Sequence, residues 1–516
     1  MTGTTGRREL VTDPRHGDVW IGIDLGTQSV RALAVTDDGQ VVGRGSAPLT
    51  GHRERDRHEQ LPADWWSGVR DALRGTLRTV AATRVRGLSV CGTSGTVLLT
   101  GPDGAPLTPA LMYDDGRAGA EAVRAQEAGA DVWRSMGHRI QPSWALAKLL
   151  WLTGAGAAPG TALRGARVCH QADFVTARLV GHPVPTDTSH ALKTGYDLSS
   201  RSWPVAVHDR LGLAELDFPA VVLPGTPLGT VCAEAAEATG LAVSTPVVAG
   251  MTDGCAAQLG SGAWDIGQWN TVLGTTLVLK GVTAAPLHDP AGVLYSHLSP
   301  DGHWLPGGAS SVGAGALTRA FPGADLAHLD RLAAHREPAG AVAYPLVSHG
   351  ERFPFLAADA EPFVLGTPRD DADHYAALLQ GVALVERLCL AYVGQLGAPV
   401  DRAVTFTGGA TRSAYWNQLR ADVLGRRATV PAQTDSALGM AVLAAHGVRR
   451  AATDAGRAGP DAPLSDLRAM VRVRTVLEPR PRVGARFQEP FVTLVDALEQ
   501  RGWLPGPTAA YAREHG

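Results

Sequence analysis

The stretch DVWIGIDLGTQSVRALAVTDDGQVVGRG, Asp18 to Gly45, decides how this chain is read. Apolar residues alternate from Val19 towards Asp24, break at Gly26-Thr27-Gln28, resume from Val30 to Thr36, break at Asp37-Asp38-Gly39-Gln40 and resume at Val41. Period-two alternation bounded by glycine and aspartate turns predicts three strands joined by tight turns. Glycines, small hydroxyls and an acid are the residue types of a phosphate site, yet the stretch holds neither common phosphate loop. It has no GxGxxG. GxxxxGK[ST] is excluded because the chain has only three lysines, Lys148, Lys193 and Lys280, and none follows a glycine. Both of those loops also lead from a strand into a helix. This turn joins two strands, which predicts a hairpin whose backbone amides and hydroxyls face an anion.

The pattern occurs twice. GQWNTVLGTTLVLKG, Gly267 to Gly281, repeats the strand, the Leu-Gly-Thr turn and the returning strand. Two copies about half a chain apart predict two similar domains that face one nucleotide. The junction falls near LGSGAWDIG, Leu259 to Gly267. The expected division is a disordered tail over 1–17, an N-terminal domain over 18–262, a C-terminal domain over 263–450 and an extension over 451–516. In the second half, Leu378, Val382, Val385, Cys389 and Val393 follow the three-to-four spacing of a buried helical stripe.

Bulk properties narrow the function. The chain has 516 residues, 45% hydrophobic and 19% charged, enough for at least two domains with substantial cores. The formal net charge of −3 offers no basic footprint for nucleic acid or an anionic membrane surface. Five scattered cysteines, none in a CxxC pair, predict a reducing compartment and no structural zinc. No apolar run approaches spanning length, and the first seventeen residues lack the apolar segment of a secretory signal. A cytoplasmic protein is expected.

Four further segments carry candidate chemistry. Asp24 ends the first strand just before the phosphate turn, where a carboxylate repels phosphate unless magnesium lies between them; it also suits a plain turn cap. In VVAGMTDGCAAQLGSG an apolar strand runs into Gly250, then Asp253, then small residues opening a helix. An acid there is an N-cap or a reactive group, and the small neighbours leave room for a ligand. VTFTGGATRSAYWNQLRADVLG reads as strand, double glycine, helix: Gly408 and Gly409 let the backbone lie against a planar or phosphate group, and Ser413 reaches towards an adenine edge from the helix start. LSVCGTSGTVLLTGPDGAPLTPALMYDDGRA places polar turns and Asp114, Asp115 and Arg117 beside apolar strands, as a polyol ligand requires. GERFPF, Gly350 to Phe355, reads as a glutamate–arginine pair on a proline-bounded loop. The spacing of CGTSGT is wrong for a nucleophile elbow, and HEQLP lacks the second zincin histidine.

Taken in order, IGIDLGTQSVRAL, AGMTDGCAAQLGSG, VLGTTL, GERFPF and FTGGATRSAYWNQLRADVLG followed by SALGMAVLAA resemble the FGGY carbohydrate kinases over roughly Asp18 to Gly447. The resemblance implies an α/β fold of two ribonuclease H-like domains of the actin, hexokinase and Hsp70 type, with ATP and sugar in the cleft between them. It assigns Asp24 to the magnesium site, Gly26, Thr27 and Gln28 to the first phosphate loop, and Gly274, Thr275 and Thr276 to the second. It places Gly315 near the nucleotide, Gly409, Ala410 and Ser413 at the adenosine, and Asp253 as the catalytic base that accepts the sugar hydroxyl proton. The implied cofactors are ATP and Mg2+, and a homodimer is among the implications.

Sugar identity is carried by fewer residues. Xylulokinase-like members have Gln-Met-His-Gly at the first sugar loop and Trp-x-Asp-x-Arg at the next, and glycerol kinases have Gln-Arg-Glu-Thr. This chain has GTSGT, with Thr93 and Ser94 in the sugar-facing positions, and Tyr113 ahead of Asp115 and Arg117. GTSGTVLL, PALMYDDGRA, HQADFVTARLVG and ALKTGYDLSS look most like the D-ribulokinase-type branch. D-ribulose is therefore the expected substrate and D-xylulose the alternative, with Thr93, Ser94 and Asp115 as sugar contacts. A nucleotide-dependent binding protein of the actin or Hsp70 kind, without sugar turnover, is the reading from another class.

Overall fold

The computed structural model describes residues 17–154, 163–454 and 463–516. Except for Gly17, the expected disordered tail lies outside the described residues.

Two sheets share one plan. In the first, Val19–Leu25 and Ser29–Thr36 form an antiparallel hairpin in register from Val19 opposite Thr36 to Leu25 opposite Val30, and Val41–Pro48 adds outside it. On its other side Val19–Leu25 pairs in parallel with Val85–Gly92, which pairs in parallel with Pro246–Val248. The second sheet repeats this. Trp269–Leu273 and Leu277–Gly281 form the hairpin, Trp304–Ser310 adds outside, and Val404–Thr407 and Ala428–Pro431 extend the other side in parallel. The three strands expected from Asp18 to Gly45 and the repeated turn at Gly274 are both present.

Side-chain spacing explains what covers the sheets. Pro62–Thr76 starts with proline at its first turn, where no amide hydrogen is needed, and buries Trp65, Val69, Ala72 and Leu73 on the first sheet. Asp371–Gln395 buries the stripe Leu378, Val382, Val385, Cys389 and Val393 in the second core. Its length and hydropathy alone would suit a membrane crossing, but it is packed inside the protein.

Two segments make contacts across the expected division. The helix Ser436–Asp454 comes from the second half yet packs on the first sheet and against the helix Asp253–Ser261. A Cβ on Gly439 would stand 1.9 Å from the Ala256 carbonyl oxygen, so only glycine permits that approach. The segment expected to be an extension packs on both cores: Leu464, Leu467 and Met470 join the cluster on the first sheet, and the rest joins the second. Val473–Leu477 pairs antiparallel with Ala428–Pro431. Phe491, Leu494, Val495, Leu498, Ala509 and Ala512 of the last two helices lie in the second core.

Candidate active site

Parallel pairing brings the candidate segments to common strand ends. Asp24 is in register with Cys91 and Leu25 with Gly92, so the Gly26 turn and the GTSGT loop leave the sheet side by side. Gly92 also bridges in parallel to Thr252, the residue before Asp253. In the second domain, Val272 is in register with Thr407, which sets the Gly274 turn beside Gly408 and Gly409. Crevices at the carboxyl ends of strands are where α/β sheets hold ligands.

The first phosphate turn is closed by the Gly26 amide, which donates to Ser29 O at 3.1 Å. It is pinned by Gln60 Nε2 donating to Thr27 O at 2.7 Å, while Gln28 is exposed. The second turn is braced from behind. Ala314 N donates to Gly274 O and Gly315 N to Thr275 O, each at 3.0 Å. A Cβ on Gly315 would lie 2.9 Å from Thr275 Cγ2, so this glycine supports the turn, whereas one on Gly274 would meet nothing within 4 Å. Gly408 has φ of 86°, and a Cβ there would stand 2.5 Å from Leu273 O. Gly409 is exposed and Ala410 buried. Ser413 Oγ accepts from Trp416 N at 2.9 Å and so caps the helix Ala414–Leu424.

Carboxylates converge where the turns meet. Asp253 is the first residue of its helix, and its Oδ1 accepts from Gly254 N at 2.7 Å. Burial pushes its carboxyl up, opposed by the Gly254 amide, Lys193, His190 and Lys280. Asp24 is raised to about 7 by burial and by the charges of Asp435 and Asp253. Asp435, in the Thr434-Asp435-Ser436 turn that opens the helix Ser436–Asp454 and that sequence reading did not single out, is therefore part of the site, and Ala437 N donates to its Oδ1 at 3.2 Å. Acids that repel one another suit a hard divalent cation. Among the described residues no three His, Cys, Asp or Glu are placed to cage a metal. Magnesium needs no such cage, since it keeps several waters and binds one or two carboxylates plus substrate phosphates. The donor set fits it.

On the sugar side, two expected contacts are already engaged. Thr93 is 4% exposed, and its hydroxyl donates to Gln171 Oε1 at 2.8 Å and meets Thr96 Oγ1 at 2.5 Å. Asp115 is fully buried and accepts from His58 N at 2.8 Å and Arg117 Nη2 at 2.7 Å. Arg117 also donates to Glu59 at 2.6 Å and stacks on Trp151. Contact between Asp115 and sugar hydroxyls is not what this arrangement offers: its oxygens are spent on holding the loop. Ser94 differs, because its hydroxyl is buried with no partner. Tyr113 is exposed and near enough to Asp253 for that charge to raise its phenol, after burial and Asp114.

The motif HQADF and the segment TDTSHALKT, residues 186–194, build a buried network behind the base. Asp187 pairs with His190 and accepts from Ser189 Oγ at 2.6 Å, and Ser189 Oγ in turn accepts from Thr252 N at 2.8 Å. His170 meets Asp173 at 2.8 Å and Thr194 at 2.7 Å. Gln171 and Ser189 are thus site-positioning residues that sequence reading did not single out. Glu351 of GERFPF does not pair with Arg352. It is buried and accepts from Ser311 N at 2.6 Å and from Ser310 Oγ and Tyr344 Oη, each at 2.9 Å.

Comparison with known proteins agrees with this layout. Residues 19–260 match the N-terminal domain of the FGGY family of carbohydrate kinases, and residues 269–448 match its C-terminal domain. A xylulose kinase of Streptomyces coelicolor is 31% identical over 442 residues, covering 83% of this chain and 88% of that protein. A xylulose kinase of Escherichia coli is 28% identical over 419 residues, covering 79% and 85%. The crystal structure of xylulose kinase from Rhodospirillum rubrum superposes with a TM-score of 0.79 at 28% identity, covering 94% of this chain and 99% of that one.

Proposed function

The chain belongs to the FGGY family of carbohydrate kinases, with ATP as the family's co-substrate, and from that premise we propose that it transfers the γ-phosphate of ATP to a hydroxyl of a ketopentose. The observation that carries this reading is the position of Asp253. Its carboxylate stands among the GTSGT loop, Tyr113, Lys193 and Asp24, between the sugar loops and the first phosphate turn.

In the proposed step Asp253 accepts the proton of the sugar hydroxyl as its oxygen attacks the γ-phosphorus, and ADP leaves with the electrons of the broken P–O bond. The amides and hydroxyls of Thr27, Thr275 and Thr276 and the Gln28 amide receive the phosphates, on turns that Gly26 and Gly274 close with their own amides. Gly409, Ala410 and Ser413 border the adenosine. Asp24 and Asp435 would hold Mg2+ through water, and the ion would neutralise charge on the phosphates. The Ser189–Asp187–His190 network keeps the Asp253 turn in place.

D-xylulose is the preferred acceptor on the strength of the relatives. D-ribulose is the second reading, favoured by the GTSGT and YDDGR loops, which depart from the xylulokinase pattern. ADP release from magnesium-ATP across D-xylulose, D-ribulose, L-ribulose and glycerol tests both. A ketopentose preference supports the proposal, and no turnover with any ketopentose refutes it.

A further inference from the structure

Of the 47 lysines and arginines in this chain only three are lysines, and two of them, Lys148 and Lys193, bond to the GTSGT loop. Lys148 is fully buried, and its Nζ donates to Gly95 O at 3.0 Å and Met112 O at 2.5 Å, tying the GTSGT loop to the strand before YDDGR. Lys280 Nζ donates to His297 Nδ1 at 3.1 Å. Lys193 is half-buried. Its Nζ makes one long hydrogen bond, 3.4 Å to Ser94 O, and lies 5.9 Å from the centre of the Tyr295 ring. Among the described residues none of the three has a carboxylate within 4.0 Å. Lysine and arginine are not equivalent here, since an ammonium presents a compact charge to one oxygen where a guanidinium needs room for a planar fork.

Three of the polar groups left unmet around these lysines can only donate, and the fourth, the Ser94 hydroxyl, can donate or accept. Gln171 Oε1 is occupied by Thr93 N and Oγ1, so its unpartnered, buried Nε2 has only hydrogens to give. His297 accepts a hydrogen bond from Lys280 on Nδ1, and burial together with Lys280 holds its ring well below the usual histidine range. The neutral ring therefore carries its hydrogen on Nε2, which is also buried without a partner. Lys193 has further hydrogens to give, and the Ser94 hydroxyl is unpartnered. Buried donors left unpaired are costly, so a ligand that fits brings acceptors. A hydroxyl brings an acceptor but also a donor that needs its own partner. A ketone oxygen brings acceptance alone.

We propose that Lys193, with Ser94 beside it and Gln171 bonded to the adjacent Thr93, is a specificity-determining element that receives the ketone oxygen of an open-chain ketose, so that the site prefers a ketose over the alditol of the same carbon skeleton. This deepens the ketopentose kinase reading and rests on it. The chemistry is recognition only, and no bond changes at the ketone.

The test compares D-xylulose with xylitol and D-ribulose with ribitol on the full-length protein, both by ADP release with magnesium-ATP and by calorimetric binding. Wild type is expected to favour the ketose. Lys193→Met is expected to lower ketose kcat/KM about 10- to 100-fold, mainly through KM, the cost of losing a hydrogen bond to a charged group. The alditol values should fall less than the ketose values, because Lys193 also faces the Asp253 charge whichever acceptor is bound, so the preference collapses. Lys193→Gln, which keeps a donor, is expected to lie between the two, and melting curves check that both variants fold. Equal use of ketose and alditol by the wild type overturns the inference while leaving the kinase reading intact, as does a Lys193→Met variant that keeps the preference. If no sugar of either kind binds or turns over, both readings fall.

Discussion

Gly22 lies so close to Ala437 that a Cβ on the glycine would stand 1.8 Å from the Ala437 carbonyl oxygen and 2.5 Å from the Ala441 amide nitrogen. The obstacle is backbone, which cannot rotate away as a side chain can. Gly22→Ala must therefore push the helix Ser436–Asp454 off the first sheet. Overpacking of this sort costs typically about 1–3 kcal/mol. A fall in melting temperature of several degrees is expected by calorimetry. Gly119→Ala, where a Cβ would meet nothing within 4 Å, serves as the control and should melt with the wild type.

Asp253→Asn keeps the shape of the base and removes its ability to take a proton. Loss of a general base typically costs about 10²- to 10⁴-fold in rate. Turnover should fall by that order while ATP binding, followed by calorimetry, is retained. A variant with near-wild-type rate would remove Asp253 from the mechanism.

Asp24 gives a pH dependence of known sign. Its carboxyl is raised from 3.8 to about 7, so the folded, nucleotide-free protein holds this proton more tightly than the unfolded chain does. Stability from this group falls as pH rises from 3.8 to about 7, and the full cost is present above 7. At about 1.4 kcal/mol per unit the cost is at most about 4 kcal/mol. Asp24→Asn should thus melt higher than wild type at pH 8 without nucleotide, match it near pH 4, and lose activity at both. Equal melting at pH 8 would show that the carboxylate is not destabilised there.

Arg420 and Glu386 form an ion pair with both side chains fully buried, at 2.7 Å, and Arg420 also donates to Thr271 Oγ1 at 2.6 Å. Removing one partner leaves an uncompensated charge, worth about 3–5 kcal/mol. Arg420→Met should lower the urea midpoint accordingly. The double variant Arg420→Met, Glu386→Leu should recover much of the loss. A double variant as unstable as the single one would show that packing, not charge, sets the cost.

The hairpins were legible because alternation, turn glycines and a repeated Leu-Gly-Thr report local geometry. So was the long helix, whose Leu378 to Val393 stripe has one periodicity along its length. Asp435 was not, because nothing in TDS distinguishes a helix cap from a carboxylate that folding brings to Asp24. Thr93 and Asp115 have the right chemistry for a sugar, but which groups consume their hydrogen bonds depends on Gln171 and His58, distant in sequence, and on how the loop turns Arg117 onto Asp115. The small residues around Gly439 signal close packing without naming the surface they approach. That surface, the helix Asp253–Ser261, is a tertiary fact.

The helix Ser436–Asp454 also imposes an order on biosynthesis. Domains generally fold as units, the earlier ones first, while the ribosome is still at work. Here the first sheet cannot be completed that way, because Trp20, Leu33, Val35 and Cys91 are buried in a cluster with Ala437, Met440, Ala441 and Leu443. The nascent chain carries this apolar face uncovered through synthesis of nearly the whole second domain. During that interval it is a natural client for a holding chaperone, and the kinase acquires its first domain only when its second is almost made.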